Sequence, residues 1–239
     1  MSDRIFKIYI SAGHGMYFNE EYKHWLTQRR SYFGVIEDFW TVFVARELFV
    51  LLDEDSRFQV VMNRDFFNEE IGESGKQKWM EGSHLFFRDV GAPQTVWNVG
   101  QGIQKAIHAD AMGIKFYDAD IAISIHANSG GGEDAGYEVW HHSMANLGRK
   151  LAGQINKSLM RLPIQSRGLF CDALHDERAF WREARGVVMA VIEYFYFDHE
   201  IDNQIMKMQK NISQAAQLTY QGISEFIDVY GHSIPQRIT

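Results

Sequence analysis

Hydrophobic positions along the chain fall into two alternating patterns. Short runs of β-branched and other apolar residues predict buried strands. The candidate strands are Ile5–Ser11, Phe58–Met62, Ile121–His126, Tyr137–His141, Gly168–Cys171 and Val187–Glu193. Longer stretches with apolar residues three or four positions apart predict amphipathic helices. The candidate helices are Val35–Asp53, Val99–Met112, Met144–Leu162, Asp176–Arg185 and Asp202–Val229.

This alternation predicts an α/β fold, with a twisted, mostly parallel sheet of about six strands and helices on both faces. No Ser/Gly/Pro-rich linker divides the chain, and only three prolines occur. We therefore expect residues 1–239 to form a single catalytic domain. The interval at about 65–118 is too long for an ordinary connection between two elements. Its length predicts a functional lid or an ordered insertion.

Composition and charge argue against several classes of protein. The 46% of hydrophobic residues supply ample material for a buried core. A net charge of -7 argues against nucleic acid as a partner, because phosphate binding needs a basic surface. No apolar run is long enough to span a bilayer. Lys7 interrupts the apolar N-terminal stretch, so we expect no signal peptide and synthesis in the cytoplasm. The single Cys171 excludes an internal disulfide.

Three predicted strands end in residues that can bind a metal or transfer a proton. The strand KIYIS leads into His14, IAISI leads into His126, and VVMAVI leads into Glu193. Ligands of open α/β sheets gather beyond the carboxyl ends of the strands, so we expect these side chains to lie near one another. An ionisable group at the end of an apolar strand is costly to bury unless it is paired or bound to a metal.

Each of these residues also has a plainer interpretation. His14 lies between two glycines and could be an ordinary loop histidine, and His126 could be a hydrogen-bonded core residue. Glu37 lies in the first turn of a predicted helix, where the helix dipole favours any carboxylate. As a set, however, two imidazoles, a carboxylate and a position for water match a catalytic zinc site. A further carboxylate that does not bind the metal would be the general base.

Several motifs carry a resemblance to a known family. They are, in chain order, ISAGHG, GVIEDFWTVFVARELFVLL, VVMNRDF, ADIAISIHANS, AGYEVWHH, SRGLF and AVIEYFYFDHEID. In this order the chain resembles the zinc-dependent N-acetylmuramoyl-L-alanine amidases, the family found in bacterial autolysins and phage endolysins. The resemblance spans nearly the whole chain. It departs from the family pattern at Asn63, where Thr is usual, and at Phe195, Tyr196 and His199 after the last glutamate.

The resemblance implies roles for individual residues. His14, Glu37 and His126 would bind one zinc ion, and Glu193 would be the catalytic acid–base residue. The metal ligand maps onto Glu37 and not Asp38, because Val42 and the apolar residues after it then match the family's apolar positions. Asn128 and Arg167, in the matching HAN and Arg-Gly segments, would contact the substrate.

The implied reaction is cleavage of the amide that joins N-acetylmuramic acid to L-Ala of the stem peptide. The partner would be peptidoglycan or a muropeptide. The enzyme would act on the cell wall, which it would reach after holin-type release or by non-classical export. One alternative is a zinc carboxypeptidase or amidohydrolase that acts on a small acyl amino acid. Another is a non-catalytic wall-binding module, although the presence of all four candidate residues counts against it.

Overall fold

The protein is built around a six-stranded sheet. The computed structural model describes residues 4–14, 16–19, 24–27, 31–63, 103–171 and 186–235. The strands are β1 (Phe6–Ala12), β2 (Met16–Asn19), β3 (His24–Thr27), β4 (Ser31–Tyr32), β5 (Val35–Ile36), β6 (Phe58–Met62), β7 (Ile121–Asn128), β8 (Tyr137–His141), β9 (Ser166–Cys171) and β10 (Val188–Tyr196). The helices are α1 (Glu37–Asp53), α2 (Ile103–Tyr117), α3 (Asn146–Leu159), α4 (Glu200–Met206) and α5 (Gln209–Tyr230), followed by a 3-10 turn at Gly231–Ser233.

The order of the strands in the sheet is β6-β1-β7-β10-β8-β9. Strands β6, β1, β7 and β10 are parallel, whereas β8 pairs antiparallel with β10 and parallel with β9. The carboxyl ends of β1, β7 and β10 therefore lie at one edge of the sheet. Strands β2 and β3 form a separate antiparallel hairpin, and so do β4 and β5.

Helices cover both faces of the sheet. Helices α1, α3 and α5 lie on one face, where α5 contacts both α1 and α3. In α1, the buried residues Trp40, Val44, Leu48 and Leu52 recur every four positions and form the apolar stripe that such a helix needs. On the opposite face, Ile114 of α2 packs with Tyr9 of β1 and Ala122 of β7. None of the helices in the described ranges combines the length and the apolar content that a membrane crossing requires.

The structure confirms the α/β class and the mostly parallel six-stranded sheet. Phe58–Met62 and Tyr137–His141 have the predicted bounds. Strand β10 continues to Tyr196, three residues past the predicted end. The two hairpins between β1 and α1 were not predicted from the sequence. The candidate helix at 176–185 and most of the proposed insertion, residues 64–102, lie outside the described residues.

The prediction of one helix over Asp202–Val229 is wrong. The chain forms α4 and α5 instead, with Met208 in an extended conformation between them. The side-chain amide of Asn211 donates to the carbonyl of Ile205 at 2.6 Å. It thus supplies a donor to a carbonyl at the end of α4, where a continuous helix would have supplied a backbone N–H. Apolar spacing carried across the break, so the pattern alone did not reveal it.

Hydrogen bonds of two polar side chains, Asn63 after β6 and Asp110 of α2, connect these elements to the end of β1. The amide of Asn63 accepts from the Ala12 N–H at 2.9 Å and donates to the Ala12 carbonyl at 3.1 Å. Asp110 of α2 accepts from Asn63 at 2.9 Å and from the hydroxyl of Ser11 at 2.5 Å. Asn63, which stands where the family usually has Thr, thus extends the pairing of β6 with β1.

Close packing of α5 on α3 generates a prediction about Gly222. A Cβ at this position would lie 2.6 Å from the Cα of Ile155, whereas a Cβ at Gly153 of α3 would meet no heavy atom within 4 Å. We expect Gly222→Ala to lower the free energy of unfolding by about 1–3 kcal/mol through overpacking. The matched control, Gly153→Ala, should raise it by roughly 0.5–1 kcal/mol, because Ala is the better helix former. Urea unfolding of both variants checks this, and equal shifts of the same sign would contradict it.

Candidate metal centre

Three predicted side chains converge at the carboxyl edge of the sheet. His14 follows β1, Glu37 is the first residue of α1, and His126 lies near the end of β7. Each offers one ligand atom, and these atoms all lie within 4.8 Å of one another. No other group of at least three His, Cys, Asp or Glu side chains with this geometry is found in the described part of the chain.

The spacing of the three groups suits a small tetrahedral ion. Oε1 of Glu37 lies 3.3 Å from Nε2 of His14 and 3.4 Å from Nδ1 of His126. In a tetrahedron with zinc–ligand bonds of 2.0–2.1 Å, two ligand atoms are separated by roughly 3.3 Å. The two imidazole rings meet edge to face, with centroids 4.9 Å apart. The two distances from Oε1 of Glu37 are therefore those expected of ligands that share one tetrahedral ion.

The backbone before His14 is shaped to bring the two imidazoles together. A Cβ on Gly13 would lie 2.3 Å from the imidazole of His126, so only glycine leaves room for that ring. His14 itself has φ of 60°, in the left-handed region that few non-glycine residues adopt. Hydrogen bonds hold this turn, from the Gly13 N–H to the Ile125 carbonyl at 2.8 Å and from the Thr41 hydroxyl to the Gly13 carbonyl at 3.1 Å. Local strain of this kind is common at ligand-binding sites.

Glu37 is held as an ionised carboxylate. Its burial acts to raise the pKa, but the charge of His14 and hydrogen bonds with both imidazoles outweigh burial and lower the pKa of Glu37 far below its ordinary value. Oε1 also accepts the Ala127 N–H at 2.8 Å, which ties the start of α1 to β7. The position at a helix N-terminus adds further stabilisation of the negative charge.

Ser124 orients the ring of His126. Its hydroxyl lies 3.0 Å from Nε2 of His126, on the opposite side of the ring from Nδ1. Second contacts of this kind fix the tautomer and the direction of a histidine ligand. Ser124 is buried on the same strand, two residues earlier, and thus on the same face of the sheet.

Glu193 lies beside His126 on the adjacent strand. The two residues are direct partners in the parallel pairing of β10 with β7, so both side chains point to the same face, about 4.8 Å apart along the hydrogen-bonding direction. Glu193 is 6% exposed. The pairing becomes irregular between Glu193 and Tyr196, and such bulges commonly occur next to active sites.

The two predicted substrate contacts, Asn128 on β7 and Arg167 on β9, share one partner. Both contact the carboxylate of Glu138, at 3.1 Å from Nδ2 of Asn128 and at 2.7 Å from Nε of Arg167. Glu138 is the partner of Glu193 in the antiparallel pairing of β10 with β8. The structure therefore places Asn128 and Arg167 in one polar cluster next to Glu193.

The glycine-rich loop after Asn128 is fixed by side chains from beyond β10. Asp198 accepts from the Ser129 hydroxyl at 2.8 Å and from the N–H groups of Gly130 and Gly131 at 3.1 and 2.9 Å. Further along the loop, the Gly136 N–H donates to Asp202 at 2.5 Å. Three backbone N–H groups of this glycine-rich segment are thus satisfied by two carboxylates.

Glu138 received no role from the sequence, although its motif contributed to the resemblance. Its signal was a charged residue between the apolar Tyr137 and Val139 of a predicted strand. Ser124 and Thr41 gave no comparable signal, because buried hydroxyl residues are common in apolar strands and helices. Their importance follows only from the atoms that the fold brings beside them.

Comparison with known proteins defines the chain as a cell-wall hydrolase. A family profile described as N-acetylmuramoyl-L-alanine amidase matches residues 8–225. The chain belongs to the N-acetylmuramoyl-L-alanine amidase family, and its enzyme class is that of an amidase. A search of curated proteins finds no match to the sequence.

Solved structures of amidases share the fold over almost the whole chain. An N-acetylmuramoyl-L-alanine amidase from Clostridium difficile 630 is 19% identical with a TM-score of 0.65, covering 94% of this chain and 98% of that one. Ami1 from Mycobacterium smegmatis is 13% identical with a TM-score of 0.67, covering 96% and 100%. The catalytic domain of the CD27L endolysin, which targets Clostridia Difficile, is 16% identical with a TM-score of 0.59, covering 92% and 97%.

The contact between Gly13 and His126 generates a second prediction. In Gly13→Ala the added methyl group occupies the space of the imidazole, so we expect the His126 ring to be displaced and zinc affinity to fall on the order of 10-fold or more. Competition with a chromogenic chelator measures the affinity. Gly153→Ala, which adds the same methyl group in open space, should bind zinc like the unmodified protein. An unchanged affinity in Gly13→Ala would show that this steric constraint is unimportant.

Proposed function

We propose that this protein hydrolyses the amide between N-acetylmuramic acid and L-Ala of the peptidoglycan stem peptide, with one zinc ion held by His14, Glu37 and His126. The observation that carries this proposal is the approach of both imidazoles to the same oxygen of Glu37, at 3.3 and 3.4 Å. Family membership supplies the substrate class. Residues 1–239 would form a single catalytic amidase domain, with an insertion at about 65–118.

The proposed ligands suit zinc in charge as well as in distance. Two neutral imidazoles and one ionised carboxylate are a common protein donor set for catalytic zinc, which leaves a position for water. Zinc held here would supply a water whose pKa is lowered to about 7 and a Lewis acid for the scissile carbonyl. Glu37 would contribute the negative charge, which the Ala127 N–H and the start of α1 stabilise. Ser124 keeps Nδ1 of His126 directed towards Glu37 through its contact with Nε2.

Glu193 would be the general base. Its place beside His126 on the neighbouring strand puts a carboxylate next to the proposed metal ligands. Glu193 would accept the proton of the attacking water and pass it to the departing nitrogen of L-Ala. The leaving amine then departs neutral, and the carboxylate is regenerated for the next turnover. Positioned acid–base groups typically contribute 10²–10⁴-fold to such reactions.

Asn128 and Arg167 would contact the substrate. Arg167 is the stronger candidate, because its guanidinium is charged and one third of its side chain is exposed. Nη2 has no partner among the described residues, whereas Nε and Nη1 bind Glu138 and Asp134. Free guanidinium donors are suited to carboxylates, which the stem peptide carries. Asn128 would use the second hydrogen of its Nδ2.

The protein would act on the cell wall, with peptidoglycan or a muropeptide as its partner. Digestion of purified peptidoglycan tests this directly. We expect new N-terminal L-Ala without new reducing sugar ends, because a muramoyl amide and not a glycosidic bond is cut. Activity confined to small acyl amino acids, with none on peptidoglycan, would instead support the alternative amidohydrolase.

Replacement of Glu193 should separate catalysis from metal binding. In Glu193→Gln and Glu193→Ala we expect the release of L-Ala to fall on the order of 10²–10⁴-fold, since the base is lost. Zinc content, measured by atomic emission, should stay at one ion per chain. The exposed Glu133 provides the control, because Glu133→Gln removes the same charge from the neighbouring loop and should leave activity intact. Equal release by wild type and Glu193→Ala would eliminate this role for Glu193.

Removal of a metal ligand should abolish metal binding as well as activity. His14→Ala and His126→Ala should lose both zinc and activity, because catalytic zinc sites use three protein ligands and each variant leaves two. The exposed His232 is the control, and His232→Ala should retain zinc. Treatment of the unmodified protein with a chelator should stop the reaction, and zinc should restore it. Full activity with no metal bound would rule out the metal-dependent mechanism.

A further inference from the structure

A buried carboxylate outside the proposed catalytic set organises the surface beside Glu193. Glu138 is 4% exposed and lies directly opposite Glu193 in the pairing of β8 with β10. Its Oε1 accepts from the hydroxyl of Tyr196 at 2.7 Å and lies 2.7 Å from Nε of Arg167. Its Oε2 accepts from Nδ2 of Asn128 at 3.1 Å and from the indole N–H of Trp140, on the same strand, at 3.0 Å.

Glu138 is surrounded by groups that hold it in place. Three hydrogen-bond donors and the ion pair with Arg167 share its two oxygens, which offer about four lone-pair sites. These partners come from four different strands: Asn128 from β7, Trp140 from β8, Arg167 from β9 and Tyr196 from β10. Glu138 is a junction that fixes these side chains relative to one another.

The same junction fixes the direction of Arg167. Besides the contact with Glu138, Nη1 of Arg167 binds Asp134 at 2.8 Å, and the guanidinium lies over the ring of Tyr196 at 5.0 Å. The hydrogen bond with Asp134 raises the pKa of Arg167, so the group stays charged. Two nitrogens and one face of the planar guanidinium are thus engaged, which restricts its orientation, and Nη2 has no acceptor among the described residues.

We propose that Glu138 is a positioning residue that holds Arg167 and Asn128 in the orientation needed to bind an anionic stem peptide beside Glu193. This inference rests on the proposed amidase function and adds to it the residue that sets substrate binding. Glu138 acts through Arg167 and Asn128 and does not touch the reacting atoms. Loss of its negative charge therefore affects chiefly the binding of substrate and not the retention of zinc.

A double-mutant cycle tests whether Glu138 acts through Arg167. Binding of a purified muropeptide is measured by calorimetry in the Glu193→Ala background, where no turnover occurs. Glu138→Gln removes one acceptor oxygen and the charge that pairs with Arg167, so we expect about 10-fold weaker binding, and the same for Arg167→Gln. Because the two residues form one unit, the double variant should be little weaker than either single variant. Losses that multiply to about 100-fold would overturn the proposal.

Kinetics of the active enzyme give an independent readout. Glu138→Gln should raise KM about 10-fold with a smaller change in kcat, and zinc content should remain unchanged. Glu133→Gln is the charge-matched control and should leave KM unaltered. A fall in kcat alone, or the same KM in Glu138→Gln and wild type, would overturn the proposal while the proposed amidase reaction stands. If wild type releases no L-Ala from peptidoglycan, the proposed function fails and this inference fails with it.

A milder variant covers the case in which Glu138→Gln does not fold. Tyr196→Phe removes one donor from Oε1 and leaves the carboxylate and its ion pair in place. Because Tyr196 also supports one face of Arg167 through its ring, which Phe retains, the expected effect is about 2- to 5-fold weaker muropeptide binding. Unchanged binding in Tyr196→Phe would contradict the proposed function of the junction.

Discussion

One oxygen atom of Glu37 connects the layers of this protein. Oε1 accepts the N–H of Ala127 on β7 and lies within 3.4 Å of both candidate imidazoles. The contact with Ala127 determines where α1 begins relative to the sheet. A helix docked one residue out of register would move the carboxylate of Glu37 away from Ala127 and from both imidazoles. Packing of the helix and composition of the site are therefore one constraint.

Sequence patterns predicted the sheet well where burial dominates. Apolar runs such as Ile121–Ile125, interrupted only by Ser124, are buried on both faces, which is typical of a strand in a parallel sheet. The patterns failed where side-chain hydrogen bonds and strand pairing matter. At the break between α4 and α5, Asn211 reaches back to Ile205, and apolar spacing continues through the break. The extension of β10 to Tyr196 depends on pairing with Asn128 across a bulge, which no local pattern records.

The candidate site was predictable to the extent that strand ends are predictable. His14, His126 and Glu193 stood out because each follows an apolar run, and parallel strands bring such ends to one edge. Glu37 came from the resemblance, since a carboxylate in a first helical turn has an ordinary explanation. Glu138 could not be assigned, because three of its four partners lie on other strands and reach it only when β7, β8, β9 and β10 are side by side. Residues that act through many long-range contacts leave little trace in a single sequence.

Asp198 connects the glycine-rich loop after β7 to the chain that follows β10. This carboxylate comes two residues after the end of β10, the strand that carries Glu193, and it holds Ser129, Gly130 and Gly131 of the loop after β7. The loop after β7 is thus anchored to the chain that continues β10. Any displacement of this loop would therefore be passed to β10 through Asp198, so that the loop and the strand that carries Glu193 would move together.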